Sequence, residues 1–262
     1  METSSVAMRE TLEALADGEL SVTAAEARLS GYATTPSGRF DAARESRRGI
    51  PEGILAEGKT PAEVRDLAEA AVDTTGRALV TRADAAHRET VEGAFRPTAA
   101  TVSVDDRAGT ITVTGEEFDQ PSLAAGVCII TGGTSDYPVA GEAAAVVEAV
   151  GADCAVIQDI GVANIDRLFD HLDAIRAADV VIAVAGREAA LPTVVAGQVD
   201  SPVIGVPVST GYGHGGDGEA ALGGLLQSCT ALSVVNIDAG FTAGTQAALI
   251  AQQVDEAAES TA

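Results

Sequence analysis

The sequence contains a single lysine, Lys59, and no tryptophan, and aromatic residues make up only 3% of its 262 positions. Without aromatics, a core has to be assembled from Val, Ala, Leu and Ile, which suit strands buried on both faces and closely packed helices. Basic residues are also scarce: 16 Lys and Arg stand against 39 Asp and Glu, for a net charge of −23. Such a surface repels nucleic acid phosphates and anionic lipid headgroups, so neither nucleic acid nor membrane is an expected partner. An acid-rich, lysine-poor surface fits adaptation to high salt, where charge is screened. The plainer alternative is an ordinary acidic cytosolic protein, and stability in molar salt separates the two. Three cysteines (Cys128, Cys154 and Cys229) are too few for a disulfide framework. Cys128 and Cys154 lie in apolar runs and read as buried small hydrophobes. The amino terminus carries Glu2, Arg9 and Glu10 but no apolar signal core, and no run is long enough to span a bilayer. A soluble, cytoplasmic protein is expected, long enough for one large domain or two modest ones.

What is present divides near residue 120. Residues 1–30 read as a helix, with Leu12, Leu15 and Leu20 at roughly helical spacing. Gly31 to Gly38 reads as a loop, and Phe40–Gly49 as a short strand or loop. Thr60-Pro61-Ala62-Glu63 opens a helix with a capping box and a first-turn proline, running to about Thr75. Ala78–Thr81 is a possible strand and His87–Ala94 a short helix. Thr101–Gly115 alternates on both sides of Asp106-Arg107-Ala108-Gly109, a hairpin signal. The polar stretch Glu116–Ser122, with Pro121, marks the boundary between an N-terminal α+β domain (1–120) and a C-terminal domain (121–262).

From Gly126 five apolar runs (VCIITGG, CAVIQDIG, DVVIAVAG, SPVIGVPVS and LSVVNIDAG) alternate with helical stretches. Those stretches are Val139–Val150, Ile165–Ala177, Ala189–Gln198, Glu219–Ser228 and Thr242–Val254. This rhythm predicts a three-layer α/β domain with a parallel sheet and right-handed crossovers. Ligands of such sheets bind beyond the carboxyl ends of the strands, and every strand here ends in a polar or glycine-rich segment. From about Ala124 onward, then, the chain is expected to bind a phosphate-containing, nucleotide-like ligand.

Four of these strand-end segments, and the Ser228-Cys229-Thr230 turn, offer chemistry. In Thr131-Gly132-Gly133-Thr134-Ser135-Asp136, the glycines let backbone N–H groups approach an anion at a helix start, and Asp136 offers an acceptor for ribose hydroxyls. A tight turn with an N-cap is the plain alternative. Glu188, in Gly186-Arg187-Glu188, is placed for general acid/base work or simply for favouring a helix dipole. The stretch from Pro207 to Gly218 holds five glycines, with Ser209, Gly211 and His214 among the candidate contacts, although a lone loop histidine is more often solvated. Asp238 closes the last strand in Asn236-Ile237-Asp238-Ala239-Gly240. By local sequence alone, Cys229 reads as a buried, inert thiol, because it follows a helix instead of starting one. His87 and His171 have no partner at metal-ligand spacing.

These segments, in this order, resemble the LarB family, the pyridinium-3,5-biscarboxylate mononucleotide synthases of nickel-pincer cofactor assembly. The blocks GGTSDYPVAGEA, QDIGVANIDR, VAGREAALPTVVAG, PVIGVPVSTGYG, LLQSC and VVNIDAGF carry the resemblance across the C-terminal domain. FDAARESRRGIPEGILAEGKT is similar to that family's leader domain. The resemblance implies a flavodoxin-like fold similar to the aminoimidazole ribonucleotide carboxylases and mutases. Those purine enzymes carry a Ser-Ala-His-Arg block where this chain has Gln158-Asp159-Ile160-Gly161, and a histidine where it has Ala190.

The resemblance further implies a substrate, nicotinic acid adenine dinucleotide, with CO2 or bicarbonate as co-substrate and Mg²⁺ as the cation; the metal ligands are not identified. It assigns Cys229 as the thiolate that adds to the pyridinium ring and Glu188 as the proton acceptor. Thr134, Ser135 and Asp136 would hold the nucleotide, with Gly133, Gly186, Ser209, Gly211 and Asp238 completing the binding set, and Arg167 would pair with a phosphate or carboxylate. The family commonly has Gly-Met-Glu where this chain has Gly186-Arg187-Glu188, and Arg187 is expected to depress the Glu188 pKa while leaving it usable as a base. A homo-oligomer, from dimer to octamer, is expected, because the related carboxylases form symmetric octamers. Two other readings stay open: a purine-type carboxylase or mutase, and a non-catalytic nucleotide-binding module.

Overall fold

The computed structural model describes residues 2–260, and side chains from Met8 onward. Met1, the first residue of the expected 1–30 helix and 1–120 domain, lies outside the described residues, as do Thr261 and Ala262 of the 121–262 domain. The chain divides into two compact units, residues 1–119 and 120–262.

In the first unit the expected single helix is two. Helix α1 (Glu2–Ala16) stops before Gly18, whose φ of 77° leaves the helical region, and Ser21 starts α2 (Val22–Ser30) by accepting from the Ala24 N–H. The expected loop is a small antiparallel hairpin, β1 (Ala33–Thr35) and β2 (Gly38–Phe40). Thr35 stabilises its turn, with Oγ1 donating to the Gly38 carbonyl and accepting from the Ser37 N–H. Helix α3 (Arg44–Arg48) and strand β3 (Gly53–Leu55) follow, both too short to show periodicity.

Helix α4 (Pro61–Thr75) begins as its sequence predicts. The Thr60 N–H donates to Glu63, and Thr60 Oγ1 accepts from the Glu63 N–H. Such a cap contributes roughly 1 kcal/mol. The face of α4 bearing Val64, Leu67, Ala68 and Ala71 packs into a core completed by β4 (Arg77–Thr81), α5 (Ala85–Phe95), β5 (Thr101–Asp105) and β6 (Thr110–Thr114). The sheet order is β3-β4-β6-β5, with only β3–β4 parallel. His87 is buried as an internal cap of α5, its Nε2 2.9 Å from the Lys59 carbonyl oxygen.

The second unit is the predicted α/β domain. Its elements are β7 (Gly126–Thr131), α6 (Tyr137–Ala149), β8 (Asp153–Ile157), α7 (Asp166–Phe169), α8 (Leu172–Arg176), β9 (Val180–Ala185), α9 (Ala190–Ala196), β10 (Val203–Pro207), α10 (Glu219–Leu226), β11 (Ser233–Val234) and α11 (Gly240–Glu259). All five strands are parallel, in the order β11-β10-β9-β7-β8. The segment expected as one helix, Ile165–Ala177, breaks into α7 and α8 at Asp170-His171.

Every residue of β9 is buried, as its unbroken VVIAVA run requires for a central strand with both faces covered. Alternate residues Cys128, Ile130, Val181 and Ala183 meet Leu168, Ile175, Leu191, Val195 and Leu225 from α7 to α10. Helices α6 and α11 pack together, and Glu142, buried in α6, accepts from the Phe241 N–H in the first turn of α11. The chain leaves β7 toward β8 on one side and returns to β9 on the other. The carboxyl ends of β7 and β9 are therefore the switch point at which parallel sheets open a crevice.

Candidate active site

A cleft of about 520 Å³ opens at this switch point, within the range of small-molecule sites. One side is the β7 loop. Here the Gly133 N–H donates to Asp136 Oδ2 at 2.8 Å, and Thr210 Oγ1 donates to Asp136 Oδ1 at 3.1 Å from the β10 loop. Asp136 lines the cleft but is only 5% exposed. Its oxygens tie the β7 and β10 loops together. Burial holds its carboxyl above the ordinary aspartate range, against the lowering effect of those hydrogen bonds. A raised folded-state pKa favours folding while the group is protonated, and that contribution is lost as pH rises through the folded value. Relative to wild type, Asp136→Asn should therefore gain stability as pH climbs above about 3.9. Thermal melts across that range check it, and a pH-independent difference would contradict it.

Two backbone approaches close the cleft. A Cβ on Gly161 would stand 2.5 Å from the Gly132 carbonyl oxygen, and one on Gly186 would stand 2.4 Å from the Thr210 carbonyl oxygen. The loops after β7 and β8, and those after β9 and β10, thus meet where only glycine fits. Non-glycine residues in the left-handed region gather at the same edge: Asp159, Arg187, Ala189 and Asp238, with φ between 49° and 59°. Such positions cost about 1–3 kcal/mol each and cluster at functional sites.

Glu188 is exposed at the mouth and makes no ion pair among the described residues. Arg187 does not pair with it, as adjacency suggested. Its guanidinium lies over the Tyr212 ring, 4.5 Å from the centroid. Gly133, Ser135, Gly186 and Gly211 line the cleft, joined by an apolar wall of Val162, Ala163 and Leu191.

Several predicted contacts stand elsewhere. Thr134 is exposed and outside the lining. Arg167 is 42% exposed and lies outside the cleft lining, with one guanidinium nitrogen 3.0 Å from Asp159 Oδ1 and 3.1 Å from the Asp159 carbonyl oxygen. Ser209 and Asp238 do not line the cleft either. The Ser209 N–H donates to Asp238 Oδ1, and the Asp238 N–H donates to the Pro207 carbonyl, which fastens the β11 end to β10.

Cys229 is exposed, contrary to the buried thiol that its local sequence suggests. Cys128 is buried and Cys154 half-buried, and burial pushes their thiols up to about 11 and about 12. Cys229 follows α10, which has carried the chain back from the cleft edge, and its neighbours Ser228 and Thr230 bond to Thr193 of α9. It does not line the cleft of its own chain. Gly161, Val162 and Tyr212 also line the cleft, and in sequence they stand inside the QDIGVANIDR and PVIGVPVSTGYG blocks with nothing to single them out as contacts.

Among the described residues no group of three His, Cys, Asp or Glu could hold a metal ion. Mg²⁺ is commonly carried on substrate phosphates with one or two carboxylates, and Glu188 is the exposed carboxylate of the cleft.

Residues 126–261 match the AIR carboxylase family, and residues 32–115 match the LarB/PurE-like N-terminal domain. An uncharacterized protein of Methanocaldococcus jannaschii is 37% identical over 218 residues, 82% of this chain and 84% of that protein. The N5-carboxyaminoimidazole ribonucleotide mutase of Thermotoga maritima is 40% identical over 93 residues, 35% of this chain and 54% of that protein. The crystal structure of Treponema denticola PurE aligns with a TM-score of 0.39 at 24% identity, covering 49% of this chain and 78% of that one. With both domain types matched in the order the sequence predicts, the chain belongs to the LarB family, a carboxylase-like family related to the AIR carboxylases.

Proposed function

We propose that the protein carboxylates the pyridinium ring of nicotinic acid adenine dinucleotide and hydrolyses its phosphoanhydride, yielding AMP and the dicarboxylated pyridinium mononucleotide used in nickel-pincer cofactor assembly. The observation that carries this reading is the exposure of two reactive-type groups in a LarB-family chain. Glu188 stands at the cleft without an ion pair, and Cys229 is the exposed thiol of three.

The ring chemistry needs both. A pyridinium carbon is electron-poor and does not attack CO2. Addition of the Cys229 thiolate to the ring forms a C–S bond and converts the ring to an enamine, whose carbon meta to nitrogen is nucleophilic. That carbon forms the C–C bond to CO2, the Glu188 carboxylate takes the proton it carries, and the electron pair expels the thiolate and restores aromaticity. Water then divides the phosphoanhydride, releasing AMP. Mg²⁺ brought on the phosphates would neutralise charge there.

Because Cys229 does not line the cleft of its own chain, this mechanism takes place in a homo-oligomer, in which the thiol of one copy faces the cleft of another. Leu226, one turn before Cys229, is 65% exposed and supplies apolar surface for such a contact.

Glu188→Gln keeps the shape and removes the base, and should slow ring carboxylation by about 10²-fold or more. Single-turnover product formation measures it, and a wild-type rate would show that the proton leaves by another route. The local similarity to a ribonucleotide mutase supports a second reading, a purine-type carboxylase or mutase. Where those purine enzymes carry their second histidine, the cleft wall here has Ala190, which supports the pyridinium substrate. Parallel assays with aminoimidazole ribonucleotide and nicotinic acid adenine dinucleotide discriminate them.

A further inference from the structure

A second cavity of about 330 Å³ adjoins the cleft beneath the glycine-rich loop after β10. Five residues line both: Arg187, Glu188, Thr210, Gly211 and Tyr212. Among the described residues lining either cavity, Arg187 is the sole Lys or Arg. It is exposed and makes no ion pair among those residues, although the chain carries a net charge of −23. Its backbone is held in the left-handed region, at φ 55°, and its guanidinium lies on the face of Tyr212, itself 82% exposed.

The geometry points to Arg187 as the residue that binds the anionic bridge of a two-lobed ligand, a dinucleotide whose two halves occupy the two cavities. A ligand of that shape has its charge at its waist, and Arg187 stands where the cavities join. A guanidinium presents a fixed fork of donors to phosphate oxygens. Stacking on Tyr212 restrains that fork before the ligand arrives, so less side-chain entropy is lost on binding. The cation also offsets the repulsion that an acidic surface exerts on a polyanionic substrate. The assignment deepens the proposed reading, on which its choice of dinucleotide rests, and makes Arg187 a specificity-determining residue that favours a dinucleotide over a phosphate-free nucleoside.

Calorimetric titration of wild type, Arg187→Gln, Arg187→Lys and Tyr212→Leu tests it. The probes are nicotinic acid adenine dinucleotide, inorganic pyrophosphate and nicotinic acid riboside, which lacks phosphate. Arg187→Gln should weaken the first two by about 10- to 100-fold, as expected for hydrogen bonds to a charged partner, and leave the riboside unchanged. Arg187→Lys should restore part of the loss. In turnover the effect should fall on KM more than on kcat. Unchanged thermal melts would exclude a folding defect, and an Arg187→Gln protein whose stability falls is judged on Arg187→Lys and Tyr212→Leu, where the same ligand ranking should hold. Equal binding of the dinucleotide by wild type and Arg187→Gln overturns the assignment and leaves the proposed reaction standing. Arg187-dependent binding of pyrophosphate without binding of this dinucleotide retains the residue's role and removes that reaction. Failure of wild type to bind any probe overturns both.

Discussion

Replacing Cys229 with alanine should abolish carboxylation, because loss of a covalent nucleophile removes as much as about 10⁶-fold of an enzyme's rate and neither remaining thiol can substitute. Cys128 is buried and Cys154 half-buried, with pKa values raised to about 11 and about 12, so neither presents a thiolate near neutral pH. The geometry adds a sharper expectation. Cys229 is outside the lining of its own chain's cleft, so on the proposed shared site Cys229→Ala and Glu188→Gln subunits, unfolded together and refolded as a mixture, should recover part of the activity that each lacks alone. Turnover by Cys229→Ala at the wild-type rate would end the covalent mechanism. Failure of the mixed subunits to complement, with both variants folded and assembled, would end the shared site.

A single methyl group at Gly186 should be nearly as damaging. Its Cβ would fall 2.4 Å from the Thr210 carbonyl oxygen, which is backbone and cannot swing aside. Either the β9 loop or the β10 loop has to move by an ångström or so, and the β9 loop carries Arg187 and Glu188. Displacements of that size cost about 10²-fold in rate, and forced overpacking costs about 1–3 kcal/mol. Gly186→Ala should therefore lose at least about 10²-fold in activity together with a clear drop in Tm. The matched control is Gly93→Ala on α5, where an added Cβ meets nothing within 4 Å. Helix propensity alone predicts that this variant is more stable, by roughly 1 kcal/mol. Equal behaviour of the two variants would contradict the close-approach account of the cleft.

The parts of this structure that are legible in the sequence are those set by local chemistry. The capping box at Thr60 and Glu63 satisfies the start of α4 with atoms three residues apart, so it can be read directly. The buried runs of β7, β9 and β10 are long, apolar and bounded by polar segments, and a covered parallel sheet follows from them. Short elements escape for lack of length: Arg44–Arg48 is barely a helical turn, and Gly53–Leu55 is three residues. The break at Gly18 is a single residue in an otherwise helical pattern, and its φ of 77° ends the helix that Leu12 and Leu15 suggest.

Site residues are harder because their roles depend on partners distant in sequence. Asp136 reads as a ligand contact, and its second role, holding Thr210 from 74 residues away, is invisible in sequence. Arg167 looks free to meet a phosphate, yet Asp159 holds it. Ser209 and Asp238 read as two separate contacts, and nothing in the sequence shows that the Ser209 N–H donates to the Asp238 carboxylate. Cys229 shows the opposite error. Its neighbours suggest burial, but α10 ends in a turn beside α9 that leaves the thiol in solvent. The glycines of GREAAL and QDIG stand in sequence only as strand-end residues, whereas in the fold Gly186 and Gly161 are the points at which neighbouring loops touch.

The most direct test is to incubate the purified protein with nicotinic acid adenine dinucleotide, ¹³C-bicarbonate and Mg²⁺ and to follow the products by mass spectrometry. AMP should appear with a pyridinium mononucleotide that has gained one labelled carboxyl group, and quenching during turnover should trap the ring on Cys229 of intact subunits. Consumption of aminoimidazole ribonucleotide in place of the dinucleotide, or label uptake with Cys229 absent, would contradict it.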